Sequence, residues 1–303
     1  MQVIDDTLID FDAYLAAPDE SAFVRCASSY TDALIDRFYN REEKIETSLP
    51  WGKYQFTISF RPMEVTLWLG VNGHGKSLLL GQLATSFCSQ GEKVLIISFE
   101  MKPVTTLARM CRQASMGPNP AIGFIKSFSE WTDEKLWMYD QQGTVKSDRV
   151  LAVCRYFAKE LSGTHVVIDS LMKCIADDDG YNEQKRFVDS LTSIARDNNL
   201  HIHLVHHSRK LSDENSPPGK MDAKGTGAIT DQVDNCVTIW RNKRKESEMA
   251  KGKGDPDAPD ALLIVDKQRN GEWEGRIALW YDRDSQQFLP GRHAKPMDLM
   301  CFW

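Results

Sequence analysis

The chain contains no run of about 18 apolar residues, so no membrane-spanning helix is expected. Its seven cysteines, at positions 26, 88, 111, 154, 174, 236 and 301, form no C-x-x-C pair. An odd, unpatterned set argues for reduced thiols in a cytoplasmic compartment. The first six residues are acidic and lack a basic-then-apolar leader pattern, so no secretory signal is expected. No internal repeat is found. Positive charge is also short: 37 Lys and Arg against 43 Asp and Glu leave a formal net charge of −6. Many nucleic-acid binders are basic, so the sum counts mildly against one. It does not exclude one, because a ring can keep its positive charge in a narrow channel and stay acidic outside.

What is present is a globular composition. The 303 residues are 42% hydrophobic and 26% charged, enough for one large α/β core plus accessory segments. Phe23, Ala27, Tyr30, Leu34 and Phe38 recur at helical spacing, so residues 1–45 read as a helical arm separate from the core. Residues 41–62 carry turn signals at Leu49-Pro50-Trp51-Gly52 and Arg61-Pro62. From residue 64 short apolar runs alternate with helical stretches. Strands are expected at 64–69, 93–99, 165–169, 200–206, 235–240, 261–266 and 275–280. Helices are expected at 77–90, from Pro103 to about 116, at 148–161 and at 181–198. Alternation of this kind predicts a doubly wound, mostly parallel sheet flanked by helices, the RecA-like arrangement. The last strands follow one another without helices, which predicts an antiparallel edge. Residues 46–290 thus read as one motor-sized domain and 291–303 as a tail. Residues 211–224, 243–260 and the tail read as mobile.

The sharpest motif is Gly70-Val71-Asn72-Gly73-His74-Gly75-Lys76-Ser77, a G-x-x-x-x-G-K-S loop between a strand and a helix. Glycines let successive N–H groups turn inward onto phosphate oxygens, and the following helix presents its positive end to the same anion. ATP is the expected ligand, held by Gly70, Asn72, Gly73, His74, Gly75, Lys76 and Ser77. Lys76 would reach the β- and γ-phosphates, and Ser77 would hold Mg²⁺. Val166-Val167-Ile168-Asp169 ends an apolar strand in a carboxylate, the natural second metal residue. Glu100, at the end of the strand after the loop's helix, could orient or deprotonate the attacking water. Position alone leaves it equally a dipole-stabilised helix start.

Taken in order, Gly-Val-Asn-Gly-His-Gly-Lys-Ser, Ser-Phe-Glu-Met, Val-Ile-Asp-Ser, His-His-Ser-Arg-Lys, Lys-Gly-Thr-Gly-Ala-Ile, Trp-Arg-Asn-Lys and Asp-Lys-Gln-Arg-Asn-Gly resemble the motor domain of DnaB-type hexameric replicative helicases. The branch with phage primase–helicases and the mitochondrial helicase Twinkle is the most similar. The resemblance spans roughly residues 45–290. It implies a ring-forming, DNA-dependent ATPase that moves on single-stranded DNA and unwinds duplex. It implies Glu100 as catalytic base and His207 as γ-phosphate sensor. Lys267 and Arg269 resemble the pair that enters the neighbouring subunit's site, and Arg241 a further arginine near that interface. Ser208 to Gly227 matches the DNA-binding loop, with Arg209, Lys210, Lys220 and Lys224 as phosphate contacts. A homo-hexamer is implied, and a separate primase, polymerase or loader as partner. Compact size suggests a phage or mobile-element system acting in the cytoplasm.

Departures from the family leave other readings open. Before the motor there is no room for a primase or a full collar domain. The residue 1–40 stripe could dock on an adjacent subunit or fold back on its own core. His201, His203, His206 and His207 suggest zinc, but no cluster completes a tetrahedral set, and strand-end packing plus one sensor explains them better. Lys243-Arg244-Lys245 could touch DNA or form a solvated loop. The apolar end Leu299–Trp303 should dock, on its own domain or on a partner. A RecA-like recombinase that forms filaments without unwinding is the rival reading, and a regulatory ATPase acting on proteins a third. For the arm, the deciding measurement is the oligomeric state of a chain starting near residue 41. Loss of the oligomer is expected if the arm docks between subunits, and an unchanged oligomer would rule that out.

Overall fold

A computed structural model describes residues 2–4, 9–15, 27–32, 35, 46–175, 180–208, 217 and 227–301. Among them ten strands form one sheet: β1 (Gln2–Ile4), β2 (Val65–Leu69), β3 (Val94–Ser98), β4 (Leu136–Tyr139), β5 (His165–Asp169), β6 (His201–Val205), β7 (Asn235–Arg241), β8 (Ala261–Gln268), β9 (Gly275–Tyr281) and β10 (Phe288–Leu289). The order across the sheet is β1-β4-β3-β5-β6-β2-β7-β8-β9-β10. Pairing is parallel from β1 through β7 and antiparallel from β7 to β10. The mostly parallel RecA-like sheet with an antiparallel edge is therefore as expected.

The helices are α1 (Phe11–Leu15), α2 (Lys76–Ser89), α3 (Pro103–Ala114), α4 (Ile122–Thr132), α5 (Ser147–Leu161), α6 (Tyr181–Asp197), α7 (Gly227–Gln232) and α8 (Lys243–Ala250). None of the described helices is long and apolar enough to cross a membrane. Strands β2, β3, β5 and β6 are buried along their whole length. Such runs have no solvent face, which requires cover on both sides. One face packs Leu67, Ile97 and Ile168 against Val153, Phe157, Phe187 and Leu191 of α5 and α6. The other packs Trp68, Ile96 and Val167 against Leu79, Leu83 and Phe87 of α2 and Met110 of α3. Pro103 occupies the first turn of α3, where its missing N–H costs nothing.

Several expectations need correction. The arm is not wholly helical or separate: Gln2–Ile4 add a parallel strand beside Trp137–Tyr139. Buried Ile9 joins the core, Tyr14 packs edge-on against Tyr156 at 5.8 Å, and Arg155 donates to the Tyr14 carbonyl. The first 15 residues thus fold back on their own domain where they are described. Of the stripe, Phe23, Leu34 and Phe38 lie outside the described residues, and Ala27 begins a 3-10 turn. Residues 243–250 form a helix instead of a loop. Asn242 caps it by accepting from the Lys245 N–H at 3.0 Å, and the Lys245 ammonium pairs with Asp260 at 2.8 Å. The tail is docked through residue 301: Leu299 is buried, and Gln287 bonds both the N–H and the carbonyl of Met297. β4, α4 and β10 were not anticipated, the strands being runs of four and two residues.

His201 and His203 share a face of β6 as alternation predicts, and His165 of β5 joins them under Phe60 and Phe87. The ring nitrogens have hydrogen-bond partners. Trp68 Nε1 donates to His203 Nδ1 at 3.2 Å, and His203 Nε2 then faces His165 Nδ1 at 3.1 Å. His201 Nδ1 meets the Arg61 carbonyl and its Nε2 meets Thr66 Oγ1. Desolvation holds His165 and His201 at a pKa of about 3, and His203 well below the ordinary 6.5. All three rings are neutral in the folded chain, whereas the unfolded chain takes up protons below pH 6.5. Stability is therefore complete above that pH and is lost as pH falls toward about 3. At pH 5 the expected loss is about 2 kcal/mol per ring, measurable by urea unfolding at about pH 7.5 and 5.0. An unchanged unfolding free energy would contradict the neutral-cluster account.

Candidate nucleotide site

The C-terminal ends of β2, β3, β5, β6 and β7 lie along one sheet edge, where open α/β sheets place their ligands. Residues 70–75 leave β2 at this edge and enter α2. Two glycines permit the path. A Cβ on Gly70 would stand 2.6 Å from the Ile239 carbonyl of β7, so only a residue without one fits so close to that strand. Gly75 caps α2 with φ near +88°, the left-handed region. His74, almost fully buried, accepts the Arg241 backbone N–H at 3.2 Å and pins the loop to the end of β7.

Two buried charges of opposite sign stand here. Lys76 is 6% exposed and donates to the carbonyls of Gly70 at 2.8 Å and Val71 at 3.2 Å. Burial pulls its pKa below the ordinary lysine range. Asp169 is 4% exposed, and burial pushes its carboxyl above the usual range, opposed by a hydrogen bond from Ser77. That bond, Ser77 Oγ to Asp169 Oδ2, is 2.5 Å. A hydroxyl and a carboxylate are thus already side by side, as the chemistry of a hard divalent cation requires. The desolvated ammonium facing only carbonyls suits a phosphate anion. The residues fit Mg²⁺ and a nucleotide triphosphate.

A cavity of about 430 Å³ is lined by Asn72, Gly73, Lys76, Ser77, Glu100, Asp169, His207 and Arg241. All the residues expected to bind phosphate or metal, or to act as base or sensor, meet on it or beside it. Glu100 lies 3.9 Å from His207 Nε2 and accepts from Ser170 Oγ at 3.5 Å. Arg241 is in its own chain's site: its guanidinium grips Glu246 at 2.5 and 2.9 Å and reaches the Gly73 carbonyl at 3.4 Å. A second cavity of about 370 Å³ shares Gly75, Leu78, Arg241 and Tyr281 with the first. Arg109, Tyr281 and Gln286 also line the first cavity and were not anticipated. Tyr281 ends β9, which runs parallel to β7 two strands away, so its arrival at this edge follows from pairing that no local motif announces.

Lys267 and Arg269 are elsewhere. In the β7–β8 ladder Arg241 opposes Ala261 at the nucleotide edge, and Asn235 opposes Gln268 at the other. About six residue steps at ~3.3 Å separate the two ends by roughly 20 Å, beyond the reach of one side chain. Lys267 donates to the carbonyls of Thr230, Asp231 and Val233, and Arg269 pairs with Asp234 at 2.9 Å. Neither can serve its own chain's phosphate site. Arg209, Lys210, Lys220 and Lys224 lie outside the described residues.

The model for the AAA domain matches residues 57–213, just over half of the chain. The solved structure of a phage helicase ATPase domain superposes with a TM-score of 0.72 at 14% identity, covering 87% of this chain and 99% of that one. "The Structure Of A DnaB-Like Replicative Helicase And Its Interactions With Primase" gives 0.69 at 14% identity, covering 88% and 67%. The fold is the one these helicase structures share. If Ser77 and Asp169 hold the cation, Asp169→Asn should remove most of the gain in nucleotide affinity that Mg²⁺ confers. The expected change is about tenfold or more, with Mg²⁺-free binding unchanged. Titration of a fluorescent ADP with and without Mg²⁺ measures it, and an undiminished Mg²⁺ effect would exclude the assignment.

Proposed function

Because the chain belongs to the AAA-domain family, we propose that it is the motor of an ATP-dependent replicative DNA helicase, assembling as a ring, translocating on single-stranded DNA and unwinding duplex. The observation that carries this reading is the division of parts between the two edges of the sheet. The phosphate loop, metal pair and base lie at one edge, while Lys267 and Arg269 lie roughly 20 Å away at the other. Phosphoryl transfer builds charge on the γ-oxygens, and an arginine supplied from outside the site contributes about 10³–10⁵ in rate. Arg269 can supply it only to another copy, so hydrolysis depends on assembly.

Within one subunit Lys76 neutralises the β- and γ-oxygens and Ser77 and Asp169 hold Mg²⁺, which when bound adds charge neutralisation there. Glu100 takes the proton of the attacking water, and His207, within 3.9 Å of it, senses whether the terminal phosphate is present. Residues 46–290 form the motor. Helix α7 directly follows the segment read as the DNA loop, and the carbonyls at its C-terminal end bind Lys267 and Arg269. The grip on DNA and the neighbour's site therefore meet at one short helix. Backbone contacts from Arg209, Lys210, Lys220 and Lys224 would read charge, not sequence, and weaken with salt. A hexamer acting in the cytoplasm with a separate primase, polymerase or loader completes the reading, and the DnaB-like helicase structure described with primase interactions supports it.

The test is unwinding of a forked DNA with a 5′ single-stranded tail, with Mg²⁺–ATP. Strand separation is expected, and Arg269→Ala should lower it and the ATPase by about 10³-fold. Mixing Arg269→Ala with Lys76→Ala subunits should restore part of the activity, because some interfaces then pair an intact loop with an intact arginine. Strong stimulation by single-stranded DNA without separation would instead favour a filament-forming recombinase.

A further inference from the structure

We propose that Asp234 is the positioning residue for Arg269, a role that rests on the reading of Arg269 as acting in a neighbouring subunit's site. Asp234 lies just before β7 and is 4% exposed, whereas the Arg269 side chain is 42% exposed. One residue therefore anchors the other from below while leaving it presented at the surface. Three contacts build this anchor. The Asp234 main-chain carbonyl accepts the Arg269 N–H at 2.9 Å. Asp234 Oδ1 pairs with the guanidinium at 2.9 Å. Asp234 Oδ2 accepts the N–H of Val65, the first residue of β2, at 3.0 Å. The carboxylate thus ties Arg269 to the strand that leads into the phosphate loop. A second guanidinium nitrogen donates to the Asp231 carbonyl at 3.3 Å.

The next residue is held the same way. Asn270 Nδ2 donates to Glu64 Oε1 at 2.7 Å, and Asn235 donates to Glu64 Oε2 at 3.0 Å. Glu64 is 3% exposed. Two buried carboxylates, one before β2 and one before β7, therefore fix consecutive residues beyond the end of β8. A buried carboxylate is tolerated only when paired and hydrogen-bonded. That condition fixes the Arg269 head group, which would otherwise sample many rotamers. Holding a catalytic group in place before reaction raises the rate without altering substrate binding. The effect should appear in kcat and not in KM.

The experiment is steady-state ATPase of the full chain on single-stranded DNA for wild type, Asp234→Asn, Arg269→Ala and the double variant. The amide keeps an acceptor for the Val65 N–H and removes the charge. Asp234→Asn should lower kcat at least about tenfold with KM within about twofold and with the melting temperature and fluorescent-ADP affinity retained. The double variant should be no slower than Arg269→Ala, because Asp234 acts through that arginine. Should Asp234→Asn fold poorly, Asp234→Glu carries the same test, keeping the charge but displacing the guanidinium by about one methylene. A defective Arg269→Ala beside an unaffected Asp234 variant would overturn the positioning role alone. So would a double variant well below Arg269→Ala. Full activity of Arg269→Ala would overturn the trans-acting reading itself, and with it this role.

Discussion

A lysine and an aspartate, each less than a tenth exposed, stand at the same edge of the sheet without a strong counter-charge of their own. Lys76 is satisfied by two loop carbonyls and Asp169 by one hydroxyl. Such groups are costly to bury unless something neutralises them. The opposing shifts of their pKa values, both caused first by desolvation, record that cost. The surrounding architecture keeps the two charges where they are. β2 and β5 flank β6, α2 rises from the loop, and β7 crowds Gly70 so closely that a methyl group would strike a backbone carbonyl. A cation beside Ser77 and a phosphate beside Lys76 relieve both charges at once, which is why the site suits a metal–nucleotide pair.

The same sheet separates this edge from the other. A seven-residue strand is a stiff spacer, and β7 carries Arg241 at the nucleotide end and Asn235 next to the arginine-holding node. Rigid separation prevents a subunit from completing its own reaction. It also means that the two ends report on each other through one strand and one short helix, without any long rearrangement.

The three buried histidines illustrate how a motif can mislead until its neighbours are known. A run of His at 201, 203, 206 and 207 invites a metal reading. In the fold, His201 and His203 turn away from the site, join His165 from another strand and pack on Phe60 and Phe87. His207, two residues beyond β6, faces Glu100 instead. Strand alternation separated 201 and 203 from the rest. The arrival of His165 depended on the register between β5 and β6.

The phosphate loop, the Ser77 and Asp169 pair and the sheet class were legible because they are local. A glycine-rich turn between an apolar strand and a helix, and an apolar run ending in a carboxylate, carry their chemistry within a few residues. The order of motifs along the chain added the helicase reading. Contacts between distant segments were not legible. Gln2–Ile4 read as part of a helical arm until pairing with β4 supplied the missing ladder partner. Lys243–Ala250 read as a loop because charge dilution hid a helix capped by Asn242. The places of Tyr281 and Arg109, and of Arg241 in its own chain's site, depend on strand order. So does the distance between Arg269 and its own chain's loop. The sequence by itself determined which chemistry this protein carries, since phosphate and metal binding need particular groups at short spacing. Only the tertiary structure decided which groups share an edge, because strand register and packing bring together residues that the chain keeps far apart.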